Sequence, residues 1–228
     1  MNPTPTDGSM PVDRPSVVRQ VRDIVIDRMS GQGAGHDADH VLRVWRTARW
    51  IQRQTGGDAF VVELAALLHD IGDAKFHQGI ERSGVLSKHI LATFSVPEDV
   101  VEQVVHIVDN ISFRKAADPN TLSIEAKIVQ DADRLDALGA IGIVRTIEYG
   151  AVKGQPFHRP GCDDHSKSGI GHFHEKLFKL RGLLNTEAAK QIAEERETFM
   201  RDFLAQFLSE CDTAGDDGET GVTDPTDA

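Results

Sequence analysis

Two imidazole and carboxylate pairs stand out in this chain, His69-Asp70 and His36-Asp37, and only the first is preceded by a long apolar run, Leu64-Ala65-Ala66-Leu67-Leu68. An apolar run of that kind belongs inside a protein and takes His69 and Asp70 with it. Burying an ionised carboxylate costs several kcal/mol unless it is paired or bound to a cation, so Asp70 demands a partner, and a divalent metal is one. A further imidazole, His40, sits among Val41, Val44, Ala48 and Ile51 at helical spacing, and three carboxylates, Asp131, Asp133 and Asp136, cluster after Ile124, Ile128 and Val129. Imidazole and carboxylate donors without thiolate suit Mn²⁺, Ni²⁺, Co²⁺, Fe²⁺ or Zn²⁺, and Mg²⁺ less well.

Helices must bring these groups together. From Pro15, valines and isoleucines recur with a 3.6 period to Met29, and Ser30 to Gly35 breaks the pattern. Asp37 or Asp39 can cap a second helix that carries His40 on its apolar face, and Asp58 caps a third that ends in His69-Asp70. Helices are expected at Val85 to Phe94 and, from Pro97, over the valines 100 to 108. A long one from the Ser123 cap is expected to run past Gly139 and Gly142 to Tyr149. Gly150 to Gly171 reads as a long loop, followed by helices at Phe173 to Leu184 and Thr186 to Leu208. The class is all-α, a single-domain bundle of about eight helices with no significant sheet. The helical domain is expected over 15–210, with a disordered N-terminal tail at 1–14 and a disordered acidic tail at 211–228.

His40, then His69-Asp70, then Asp133 inside Ala132-Asp133-Arg134-Leu135 resembles the H…HD…D signature of the HD-domain metal-dependent phosphohydrolases. The flanking strings His40-Val41-Leu42-Arg43-Val44 and Ala65-Ala66-Leu67-Leu68-His69-Asp70-Ile71-Gly72-Asp73 strengthen it, and by motif it covers about residues 20 to 145. Gly171-His172-Phe173-His174-Glu175-Lys176-Leu177 and the helix around Glu194 to Glu197 extend the likeness to a small bacterial single-domain subgroup. The resemblance implies an HD-type helical bundle holding one divalent metal on His40, His69, Asp70 and Asp133. It favours Asp133 over Asp131 and Asp136 as the last ligand. Asp136, three residues on, is expected to support the ligands from behind, and Asp131 to point elsewhere.

Asp73 lies where several such hydrolases carry an acidic residue that handles the proton of the attacking water; a helix-end cap is its other reading. Candidate phosphate contacts are Lys75, Arg114, Arg159, Lys176 and His36. His89 and His106 raise the question of a second metal, but their contexts lack the fuller binuclear pattern; of the two, His106 is expected to face the site.

The function implied is hydrolysis of a phosphate ester or phosphoanhydride of a small phosphorylated molecule, a nucleotide or nucleoside triphosphate first among them. The rival readings are a nucleotide sensor without catalysis and a di-iron oxygenase. A net charge of −11 argues against a nucleic-acid polymer or an anionic membrane as partner. Two cysteines supply no disulfide framework and fit a reducing cytoplasm. Met1 to Arg14 has no apolar core of a signal peptide. His174-Glu175 lacks the second histidine of a zincin helix, Gly169-Ile170-Gly171 lacks the third glycine of a dinucleotide turn, and no Gly-Lys-Ser/Thr phosphate loop exists.

Overall fold

A computed structural model describes residues 12–30, 38–74, 78–111, 119–160 and 167–213. Among these are nine α-helices and no strand: α1 Arg14–Met29, α2 Ala38–Thr55, α3 Ala59–Leu68, α4 Ser83–Leu91, α5 Glu98–Asn110, α6 Ile124–Leu135, α7 Gly139–Lys153, α8 Gly169–Glu175 and α9 Glu187–Thr213. Short 3₁₀ segments lie at Pro119–Thr121 and Leu177–Leu183.

The centre of the bundle is α3. It is apolar on all sides, so it must be covered on all sides, and α1, α2, α5 and α6 pack around it. Glu63 is the exception along its length; half-buried, it accepts from Trp45 Nε1 at 2.9 Å and meets Arg49 Nε at 3.3 Å on α2. Asp58 starts the helix by accepting from the Phe60 backbone N–H at 2.8 Å, and Ser123 does the same for α6 through Ala126. After α3 the chain turns at Gly72, where a Cβ would lie 2.5 Å from the Arg82 and Ser83 backbone; only glycine fits.

The single long helix expected from Ser123 to Tyr149 is two helices. The chain breaks at Asp136 to Leu138, where Leu138 is extended, and Gly139 has φ +74°, a left-handed conformation that ends helical propagation. This division supplies the ninth helix. The expected loop from Gly150 is also shorter, since α7 continues to Lys153 and is capped by left-handed Gly154. Phe157 then anchors the chain edge-to-face against Phe173, Phe203 and Phe207. Ser168 caps α8 through the Gly171 N–H at 3.0 Å, so that helix begins four residues before Phe173. Lys176 leaves helical geometry, and what continues is the 3₁₀ segment rather than one helix to Leu184. The Val85 to Phe94 helix is observed at Ser83–Leu91.

At the chain's ends, α1 starts at Arg14 behind an Asp13 cap, and α9 runs to Thr213, beyond the boundary expected at 210. The remainder of the two tails expected to be disordered, 1–11 and 214–228, lies outside the described residues. No described helix is long and apolar enough to cross a membrane.

Candidate metal centre

Three helices deliver the site. His40 comes from the first turn of α2, His69 and Asp70 from the end of α3, and Asp133 from the last turn of α6. Both imidazoles are buried, with ring centroids 5.4 Å apart. Each is held by its Nδ1. That of His40 meets Asp136 Oδ2 at 2.7 Å, and that of His69 meets the Ala66 carbonyl oxygen at 2.9 Å. A carbonyl and an ionised carboxylate only accept, so both Nδ1 atoms carry the proton and both rings turn Nε2 toward the same point.

Around that point, His40 Nε2 lies 3.5 Å from Asp70 Oδ2 and 3.5 Å from Asp133 Oδ1. His69 Nε2 lies 3.6 Å from Asp70 Oδ1 and 3.9 Å from Asp133 Oδ1. Donors placed about 2.1 Å from one shared ion stand roughly 3.0 to 4.2 Å from each other, and these separations fall inside that range. Among the described residues buried His69 Nε2 has no hydrogen-bond partner, an arrangement that costs stability unless something else ligates it. His40, His69 and Asp133 each offer an atom within 4.8 Å of the other two; Asp70, which meets His40 through Oδ2 and His69 through Oδ1, is not in that group of three. The donor set therefore fits a divalent cation.

Electrostatics agree. Burial is the largest influence on His40 and pushes its pKa down. The hydrogen bonds to Asp133 and Asp136 and the charges of Asp133 and Asp70 together outweigh burial and raise it to about 9. Asp133 is likewise pushed up by burial, yet its bond to His40 and the His69 and His40 charges bring it below the usual carboxylate value. Without a cation, a proton on His40 offsets the clustered carboxylates; with one, that proton must leave.

Asp136 is the second layer. As C-cap of α6, it accepts from Arg43 Nε at 2.8 Å, Arg43 Nη2 at 3.0 Å and Arg145 Nη1 at 2.7 Å, besides His40. Burial favours its neutral form, but His40, Arg43 and Arg145 overcome that and hold it far below the ordinary carboxylate range. Asp131 turns away from the centre. Fully buried, it accepts from the Asn185 and Thr186 backbone N–H groups and the Thr186 hydroxyl, at 2.8–3.1 Å, ahead of α9.

Asp73 is half-buried, with its backbone N–H donating to the Asp70 carbonyl at 3.2 Å. Arg159 and Lys176 are exposed; Lys75, Arg114 and His36 lie outside the described residues. His89 and His106 are both exposed, and the cluster of ligand atoms includes neither. Sequence reasoning missed Arg43 and Arg145. Arg43 carried a signal, being one helical turn from His40 on the same face, whereas Arg145 reaches Asp136 only across the break at 136–138 that separates α6 from α7.

Comparison with known proteins follows the same lines. A model of the HD domain matches residues 37–138. The uncharacterized protein YpgQ of Bacillus subtilis (strain 168) is 39% identical over 205 residues, which is 88% of this chain and 96% of that protein. An HD-superfamily hydrolase from Bacillus thuringiensis superposes with a TM-score of 0.74 at 38% identity, covering 87% of this chain and 98% of that one. YpgQ in complex with ADP superposes with a TM-score of 0.73 at 36% identity, over 86% and 96% of the two chains. With the ligand string, the all-helical bundle and these relatives in agreement, the chain belongs to the HD-domain family.

Proposed function

We propose that this chain is a divalent-metal-dependent phosphohydrolase acting on a nucleotide or nucleoside triphosphate, with His40, His69, Asp70 and Asp133 as the ligands of one metal ion. The observation that carries the reading is buried His69 Nε2, which has no hydrogen-bond partner among the described residues and faces Asp70 and Asp133 oxygens at 3.6 and 3.9 Å. A bound divalent cation supplies a Lewis acid and a source of hydroxide at neutral pH. The chain's own residues do the rest. Asp136 and the Ala66 carbonyl hold the two imidazole protons on Nδ1, so that the rings need no reorganisation to ligate. Asp73, half-buried and one turn past Asp70, takes up the proton released by water. Arg159 and Lys176, with Lys75, Arg114 and His36, offset phosphoryl charge.

The nucleotide assignment is supported by ADP in the complex of the relative YpgQ. The metal is one of Mn²⁺, Ni²⁺, Co²⁺, Fe²⁺ or Zn²⁺, with Mg²⁺ the weaker choice for a two-imidazole site. The test is a screen of nucleotides with each metal, scoring monophosphate, phosphate and pyrophosphate separately. Metal-dependent release by the wild-type protein is expected, and Asp70→Ala should lower turnover by at least about a hundredfold while leaving helical content intact. Unchanged hydrolysis in Asp70→Ala would sink the assignment.

A further inference from the structure

Arg145 stands in the middle of α7, outside every motif that carries a candidate ligand, and points back at the corner between α6 and α7. Its Nη1 donates to Asp136 Oδ2 at 2.7 Å and to the Asp136 carbonyl at 3.2 Å. The Asp136 side chain is 5% exposed, and its carboxylate is gripped from two sides. His40 and Arg43 hold it from α2, and Arg145 holds it from α7. Because His40 and Arg43 share one helix, they alone would let the carboxylate travel with α2. Arg145 ties both its Oδ2 and its backbone to a second helix, which fixes the oxygen that receives the His40 proton.

The chain makes room for this grip. α7 opens at left-handed Gly139, and at Gly142 a Cβ would lie 2.2 Å from the Ala137 carbonyl oxygen, so α7 presses against the corner more closely than any side chain permits. A third guanidinium, Arg196 of α9, donates to the Leu135 carbonyl on the same corner and lies along Gly139.

We propose that Arg145 is a positioning residue for the metal centre, acting through the Asp136 carboxylate to fix the ring of His40. The inference rests on His40 being a metal ligand. The partners that hold a ligating imidazole by its other nitrogen typically change metal affinity by 10- to 100-fold when removed; Arg145 acts on that partner at 2.7 Å and approaches His40 Nδ1 itself only at 3.4 Å.

The test is a double-mutant cycle read by Mn²⁺ titration of the full chain, with circular dichroism on each variant. Arg145→Met and Asp136→Asn should each weaken Mn²⁺ binding by about tenfold or more. The double variant should bind no more than about twofold worse than Asp136→Asn alone, since what Arg145 keeps there, the Asp136 carbonyl at 3.2 Å and a 3.4 Å approach to His40 Nδ1, is weaker than its carboxylate contact. Arg145→Lys, which keeps the charge on a shorter side chain, should recover part of the loss, and Arg145→Gln serves in the cycle if Arg145→Met does not melt cooperatively. An unchanged affinity in Arg145→Met, or a double variant that loses the product of the two single losses, would overturn the proposal while the functional reading stands. If the wild-type protein bound none of Mn²⁺, Ni²⁺, Co²⁺, Fe²⁺ or Zn²⁺, both would fall together.

Discussion

At the scale of single residues, buried polar atoms divide by whether anything satisfies them. Asp131 is fully buried and accepts several hydrogen bonds at the start of α9, so it needs no cation. Asp136, buried nearly as deeply, is engaged by three cationic side chains. Ser87 is different: its hydroxyl is buried in α4 and has no hydrogen-bond partner among the described residues. Removing an unsatisfied hydroxyl restores the cost of its desolvation and leaves a cavity smaller than a methyl group. Ser87→Ala should therefore be neutral or stabilise by up to about 1 kcal/mol in thermal or urea unfolding; a clear loss would reveal a partner for Oγ.

At the scale of elements, the corner between α6 and α7 matters most. Gly142→Ala places a methyl group against the Ala137 carbonyl, so the corner must open. The expected cost is about 2 kcal/mol or more, a fall in Tm on the order of 5 °C. Mn²⁺ binding should weaken with it, because the Arg145 contact depends on the same approach. Gly154→Ala is the control. Its φ of +64° strains a side chain, but no described residue beyond its own helix and chain neighbours lies within 4 Å of the new Cβ, so it should cost about 1 kcal/mol and leave metal binding alone.

That corner also marks where the sequence stops being legible. Periodicity and caps identify α1, α2, α3, α5 and α6, and the His and Asp residues sit in the last or first turns of such helices, where one turn of error changes little. Residues 136–149 keep an apolar rhythm through Gly139 and Gly142, and nothing local says that one glycine is left-handed and the other pressed against a carbonyl. Those are facts about contacts between elements. For the same reason Arg43 was within reach of a reading along α2 and Arg145 was not.

At the scale of the whole molecule, pH should read the charge balance of the centre. The folded-state pKa of His40, about 9, lies above its ordinary 6.5, so the metal-free protein gains stability that is fully present below pH 6.5 and is lost as pH rises through 9. Asp133 and Asp136, both held below the usual carboxylate value, stay ionised across that window. Tm of the metal-free protein should fall across it by several degrees, whereas saturating metal should flatten or reverse the slope, because ligation requires neutral His40. His40→Ala should abolish the metal-free slope; scanning calorimetry at pH 6.5, 8 and 9 checks all three statements.

The ligand positions also carry a topological consequence. A shared ion would join His40 on α2, the end of α3 and Asp133 on α6, clipping shut the long stretch of chain between them, including α4 and α5. Such a clip acts as a removable crosslink: it lowers the entropy of any partly opened form that keeps its ligands while leaving the native contacts unchanged. The α4–α5 excursion is then a closed loop whose escape depends on the ion, and its amide exchange and protease sensitivity become reporters of metal occupancy far from the site itself.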